Sequence, residues 1–346
     1  MLVLKEIAPK LTRSRSTSSA MRTFSLFAVA LLSLFASLAH AAGVQFIVIP
    51  PDGDNGALSG AVWSPCASSP QQVKLYSVAT PGVLNCAVKG DRLPLVVISH
   101  GQDGWFGGHH DTAEALADAG FVVAAINHPG DNALSASRTG DISIAVKRPA
   151  DIKRLIDYML RAWSDASRID AARIGLFGHS RGGYTGLVLA GAEPDFKRAA
   201  AECGEGGNSN SPCSLFKDAK LPDAPVSHDA RIKALVLADP GFTFLLGKDE
   251  LKAVTLPVQL WSSELGGAGG TAQSVARVMG WLPAKPDFHL VAHADQWAFI
   301  APCTAEQAKS LPRICNDTPS FDRVAFHREF NAAVIGFFRQ QLGATN

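Results

Sequence analysis

Surplus charge of either sign, thiols at metal-binding spacing and long apolar runs are all scarce in this sequence, and each scarcity removes a class of function. Lys and Arg number 32 against 31 Asp and Glu, a net charge of +1. No basic field is present to attract nucleic acid, and no acidic tail suggests a solvating segment. The six cysteines never form a CxxC pair, which argues against a structural zinc site. No metal, nucleotide or flavin signature occurs, so no cofactor is expected. The most apolar run, Phe24–Leu38, is about fifteen residues long, short for a membrane span. Internal repeats and interdomain linkers are also missing.

That apolar run has the features of a secretory signal. Arg22 precedes it, and Ala39-His40-Ala41 supplies a small-x-small cleavage site. Met21 would open a compact signal, which leaves residues 1–20 as an extended basic n-region or a mis-assigned start. No cysteine follows the cleavage site to anchor a lipid. The expectation is a signal peptide over 1–41, a domain over 42–346, export to the periplasm or medium, and no stable membrane insertion. Cysteine usage agrees with an oxidising compartment. Cys66/Cys86, Cys203/Cys213 and Cys303/Cys315 each bracket a Gly-, Pro- or Asn-containing loop. Local pairing is expected among the fifteen possible connectivities, each bridge worth on the order of 2–4 kcal/mol.

Of the 346 residues 47% are apolar, enough for one large α/β core. Short β-branched runs alternate with helical stretches, as in a mostly parallel sheet covered on both faces. Strands are expected at Val44–Ile49, Ala57–Trp63, Leu95–Ser99, Phe121–Asn127, Arg173–Gly178, Lys233–Ala238, Val258–Ser262 and Phe288–Ala292. Helices are expected near Thr112–Ala119, Arg148–Trp163, Gly182–Ala190 and Phe321–Leu342, from apolar residues at helical spacing. Glu202–His228, rich in Gly, Asn, Ser, Pro and Asp, reads as a disulfide-clipped insertion near 202–230, either a lid or a surface excursion.

Gly178-His179-Ser180-Arg181-Gly182 is a G-x-S-x-G motif between a buried strand and a helix. There it forms a sharp turn that lifts the serine hydroxyl above the sheet in the α/β-hydrolase fold. Ser180 is the candidate nucleophile, and the Arg181 amide a candidate oxyanion donor. Ser99-His100-Gly101-Gln102 closes another strand, where this fold places the second donor, assigned to the Gln102 amide. His100 reads as structural. His109-His110-Asp111 points in several directions on a helix, so it reads as capping or solvated residues rather than a metal site.

The base is expected late in the chain, at His293 after the last strand, with His289 and His327 read as structural. Two carboxylates end neighbouring strands and could orient it. Glu264 stands at the commoner position, while Asp239 sits in a turn stiffened by Pro240-Gly241. Trp105, Phe106, Phe242 and Trp297 flank these motifs as candidate pocket residues, with core packing as an equal alternative.

Ser99-His100-Gly101, Phe121 to Asp131 (FVVAAINHPGD), Gly178 to Gly182 and Leu237-Ala238-Asp239 together resemble one family. It is the dienelactone hydrolase / platelet-activating-factor acetylhydrolase-like group of bacterial α/β-hydrolases, and the likeness runs from about residue 43 to 340. The resemblance implies Ser180 as nucleophile, Asp239 as acid and His293 as base. Phe299-Ile300-Ala301-Pro302-Cys303 is also similar to a family segment, although Ala294–Ala298 before it is longer than the family's spacing. Dienelactone hydrolases proper use cysteine where this chain has Ser180, so the family name fixes no substrate. The activity expected is hydrolysis of small carboxylic esters through an acyl-enzyme. Amide or carbamate cleavage by the same triad, and a secreted binding protein that keeps the fold, remain open.

Overall fold

Aliphatic runs form the central strands because a parallel sheet buries both faces of every strand. The structure, a computed structural model, describes residues 42–343 apart from 54, 77, 204–211, 217–219, 223–224 and 268–269. The expected signal segment and much of the 202–230 insertion lie outside the described residues. The described residues share one compact unit, and among them no helix is long and apolar enough to cross a membrane.

The strands are β1 (Gly43–Ile49), β2 (Leu58–Ser64), β3 (Gln71–Leu75), β4 (Val78–Leu84), β5 (Leu93–Ser99), β6 (Val122–Ile126), β7 (Ile169–His179), β8 (Ile232–Ala238), β9 (Val258–Ser263) and β10 (Asp287–Val291). They lie side by side in the order β10-β9-β8-β7-β5-β6-β2-β1-β4-β3. From β6 through β10 every neighbouring pair is parallel. β2 joins antiparallel to both β6 and β1.

Side chains alternate between the two faces at the strand period of two. Leu95, Val97 and Leu176 enter one apolar layer with Ile152, Leu155, Met159 and Leu187. These come from α2 (Ile144–Arg161) and α3 (Arg181–Leu189). Val96, Ile98 and Phe177 enter the other layer with Leu116, Phe330, Val334 and Phe338, from α1 (His110–Asp118) and α8 (Arg323–Leu342). Helices α4 (Phe196–Cys203), α5 (Ala272–Trp281), α6 (Ala305–Ser310) and α7 (Pro312–Cys315) complete the described α-helices.

Two regions depart from the sequence reading. β3 and β4 pair as an antiparallel hairpin between Cys66 and Cys86, a span read from sequence as a loop. The hairpin tolerates Pro81 because β4 pairs with β1 only at Val83 and Leu84, beyond the proline that lacks an amide proton. Helix α2 starts at Ile144 rather than Arg148, so Pro149 sits inside its N-terminal part. The three disulfides join Cys66 to Cys86, Cys203 to Cys213 and Cys303 to Cys315, and no free cysteine remains.

Candidate active site

The chain turns from β7 into α3 at a single residue. Ser180 holds φ 52° and ψ −118°, backbone angles that cost a non-glycine residue free energy and persist only where the surroundings enforce them. Here the enforcement is visible. The Ser180 amide donates to the Ala238 carbonyl at 2.9 Å, and the Ser180 carbonyl accepts from Gly183 at 2.8 Å and Gly241 at 2.8 Å. The flanking glycines are required by space: a Cβ on Gly182 would lie 1.8 Å from the Ser99 carbonyl, and one on Gly178 would lie 2.2 Å from the Gly182 carbonyl. Ser180 is 3% exposed, and among the described residues its hydroxyl has no hydrogen-bond partner.

The loop after β5 abuts this turn, since a Cβ on Gly101 would stand 3.2 Å from the Ser180 Cβ. The Arg181 amide opens α3, where no preceding carbonyl of the helix can take it. Among the described residues neither it nor the Gln102 amide, one residue beyond Gly101, donates a backbone hydrogen bond. His100 is structural, its Nδ1 bonding the Gly101 carbonyl at 2.7 Å and its Nε2 accepting from the His128 amide at 3.2 Å. Burial, then the nearby Arg148 charge, lower it to about 3.

Asp239 lies in the turn that brackets Ser180, fully buried and at φ 42°. Its carboxylate accepts from the Ser263 amide at 2.9 Å and from the Ser263 hydroxyl. Burial raises its pKa to about 7 against the opposing pull of those bonds, and Asp295 nearby raises it further.

His293 is not brought to either partner. Its side chain is 61% exposed and its Nδ1 faces the Glu264 carboxylate at 3.7 Å. The same carboxylate accepts from the His293 amide at 2.6 Å, and the His293 carbonyl accepts from Thr318 at 2.7 Å. The physical reason is strand order. β10 pairs with β9 alone, Val291 opposite Ser263, so the residues that follow each strand meet first. Glu264, not Asp239, is therefore the carboxylate in contact with His293.

Further on, the turn from His293 reaches the residue before the serine, His179, through Gln296. This residue is buried, its carbonyl bonds His179 Nε2 at 3.0 Å, and its amide donates to the Gly266 carbonyl at 3.1 Å. Sequence reasoning passed over Gln296; the longer spacing before Phe299 was the one signal that could have drawn attention to it.

The flanking aromatics divide. Phe106 is core, packed against Trp63, Phe46 and Tyr76. Phe242 is core as well, edge-on to Tyr184 and beneath the Arg181 guanidinium at 4.8 Å. Trp105 packs at a tilt against Tyr76 and Trp297 lies under Arg313, both half-buried. His289 stacks on Trp261 at 4.0 Å. His327 bonds Asp111 at 2.6 Å and the Ala298 carbonyl at 2.8 Å, so both serve packing. His109 is buried, with Nδ1 bonded to the Phe299 carbonyl at 2.9 Å. His110 pairs with Glu114 at 3.1 Å. Among the described residues no cluster of ligating side chains could hold a metal ion.

A strained serine at a strand-to-helix turn of a parallel sheet is the geometry with which known proteins can be compared. The structure of a ferulic acid esterase from Streptomyces cinnamoneus superimposes with a TM-score of 0.62 over 88% of this chain and 91% of that one, at 18% identity. The fold is that of the α/β-hydrolases. Residues 109–206, which contain the Ser180 turn, match the prolyl oligopeptidase family (Peptidase_S9). A cutinase of Thermobifida alba is 39% identical over 88 residues, 25% of this chain. The chain spans about a quarter of the length of that curated relative, 26%. A cold-adapted esterase from an Arctic intertidal metagenomic library aligns over 86% of this chain and 93% of its own at 15% identity, with a TM-score of 0.47.

Proposed function

We propose that this protein is a serine hydrolase of carboxylic esters that works through an acyl-enzyme on Ser180. The observation that carries the reading is the strained Ser180 backbone, enforced by three backbone hydrogen bonds and two glycines without room for a Cβ. A non-glycine residue held in such a conformation marks a functional constraint. The cutinase and ferulic acid esterase named above support ester substrates, as does the resemblance to the dienelactone hydrolase / platelet-activating-factor acetylhydrolase-like group.

In the proposed reaction Ser180 Oγ attacks the ester carbonyl, and the amides of Gln102 and Arg181 hold the developing oxyanion. Such a donor is typically worth about 3–4 kcal/mol. His293 takes the serine proton and returns it to the leaving alkoxide, with Asp239 orienting the imidazolium. For this the imidazole must leave Glu264 and swing inward. The pairing opposes that motion weakly, because two solvent-exposed groups in contact are worth about 0–1 kcal/mol. Export to the periplasm or medium after cleavage of residues 1–41 belongs to the same proposal, supported by three disulfides that fit an oxidising compartment.

A second reading has its own observation. His293 stands solvent-exposed against Glu264 rather than at Ser180, and Gln296, which the same turn bonds to His179, cannot act as a base. A binding protein that keeps the Ser180 turn without catalysis follows if His293 never reaches Ser180. A fluorophosphonate probe and a panel of p-nitrophenyl esters decide between the two. Labelling and turnover by wild type, both abolished in Ser180→Ala, are the expected results. Folded wild type that resists the probe and turns over no ester would establish the second reading.

A further inference from the structure

We propose that Asp131 is a positioning residue that holds the two oxyanion donors in register with Ser180. The inference rests on the assignment of Gln102 and Arg181 made above, but its structural part can be tested without any activity. Asp131 follows β6 in the segment Asn127-His128-Pro129-Gly130-Asp131 and is 1% exposed. One oxygen, Oδ2, accepts from Arg148 Nη1 at 2.5 Å. The other, Oδ1, accepts from Arg181 Nη1 at 2.9 Å and from the Thr139 hydroxyl at 3.0 Å.

Each arginine then reaches one side of the site. Arg148 Nη2 donates to the His100 carbonyl, in the loop that carries Gln102. Arg181 is itself the residue whose amide is the second donor, and its Nη1 also bonds the Thr139 carbonyl at 3.0 Å. One carboxylate therefore ties the loop after β5 to the first residue of α3, across the gap where Gly101 meets Ser180. Thr139 extends the tie to Asp103, whose carboxylate accepts the same hydroxyl at 2.6 Å. Attraction to Arg148 and Arg181 outweighs the cost of burial and keeps Asp131 below the usual carboxylate range.

A role in stability alone does not account for this arrangement. Buried ion triads contribute little net stability, and apolar replacements of equal volume often match or exceed them. Apolar side chains do not fix the direction of a backbone amide. Oxyanion donors act only from defined positions, and displacement by about 1 Å in a reacting geometry costs on the order of a hundredfold in rate.

The test compares hydrogen–deuterium exchange and fluorophosphonate labelling in wild type and Asp131→Asn, which keeps the side-chain volume and removes the charge. Exchange across residues 99–106 and 178–184 is expected to rise several-fold while the distal strands β1 and β10 stay unchanged. The labelling rate is expected to fall about tenfold to a hundredfold, with KM for a short ester within threefold and partial rescue in Asp131→Glu. Unchanged exchange in both segments overturns the proposal whether or not the protein hydrolyses esters. Loosened exchange in a protein whose wild type is inert to the probe leaves the clamp standing and removes the hydrolase reading. Should Asp131→Asn fail to fold, Arg181→Met retains the amide and releases one arm. Exchange must then rise over 137–141 and 178–184, and its failure to do so overturns the proposal.

Discussion

At the scale of single residues the open choice is between two carboxylates. Asp239 shares its turn with the Ser180 backbone and is sealed from solvent, whereas Glu264 is half-exposed and touches His293 directly. A buried acid is the better partner for an imidazolium, because its charge is poorly screened. Asp239→Asn is expected to preserve folding and ester binding and to lower kcat by roughly 10⁴. Glu264→Gln is expected to cost far less, since it removes a solvated contact. The reverse ranking in steady-state kinetics would move the acid to the end of β9. The Asp239 pKa of about 7 adds a signature, because the carboxylate form required in the mechanism is incompletely populated below neutrality. The wild-type kcat should therefore decline as pH falls from 8 to 6.

At the scale of elements, α3 is the helix on which the site depends. It carries Arg181 at its start, Gly182 has no room for a Cβ against the end of β5, and a Cβ on Gly183 would stand 2.9 Å from Pro240, in the turn after β8. Tyr184 in its first turn is fully buried against Phe242. Its hydroxyl has no partner among the described residues, and burial lifts its pKa well above the ordinary value. An unpaired buried hydroxyl carries a desolvation penalty on the order of 1–3 kcal/mol. Tyr184→Phe is therefore expected to leave stability unchanged or raise it by about 1 kcal/mol, measured by urea unfolding. A loss of more than 1 kcal/mol would show that the hydroxyl is satisfied.

At the scale of the whole molecule, the response to pH follows from what the sheet buries. His100 and His109 are lowered to about 3, His179 to about 4 and His128 well below 6.5, in each case first by burial. Each is neutral in the fold and gains a proton on unfolding once pH drops below about 6.5. Their stabilisation is complete above that value and is lost as pH falls toward 4. Asp151 and Asp239, both raised to about 7 by burial, act in the opposite sense. They favour the fold at low pH and lose that contribution as pH rises through 7. His110 and Asp295 are also raised, by lesser amounts. The four strongly lowered imidazoles outweigh these groups and the two carboxyls between pH 4 and 6.5, so unfolding takes up protons and stability falls on acidification there. Urea midpoints at pH 4.5, 5.5 and 6.5 should rise in that order, and a flat or falling series would contradict the burial of these histidines.

The sequence alone determined the parallel sheet, the sharp turn at Ser180 and the cysteine pairing. These are encoded locally, by aliphatic runs such as LVVIS and FVVAAIN, by the glycines around Ser180, and by thiols 10 to 20 residues apart. The β3–β4 hairpin escaped because its polar face and Pro81 look like loop until β1 is placed beside it. Whether Phe106 and Phe242 line a pocket or fill the core was a matter of which layers close over them. The partner of His293, the seat of Gln296 beside His179, and the Asp131 link between Arg148 and Arg181 were decided only by tertiary structure. Each joins residues brought together by strand order and loop path, over separations of 17 to 117 positions, and no local pattern in the chain encodes a contact over such a distance.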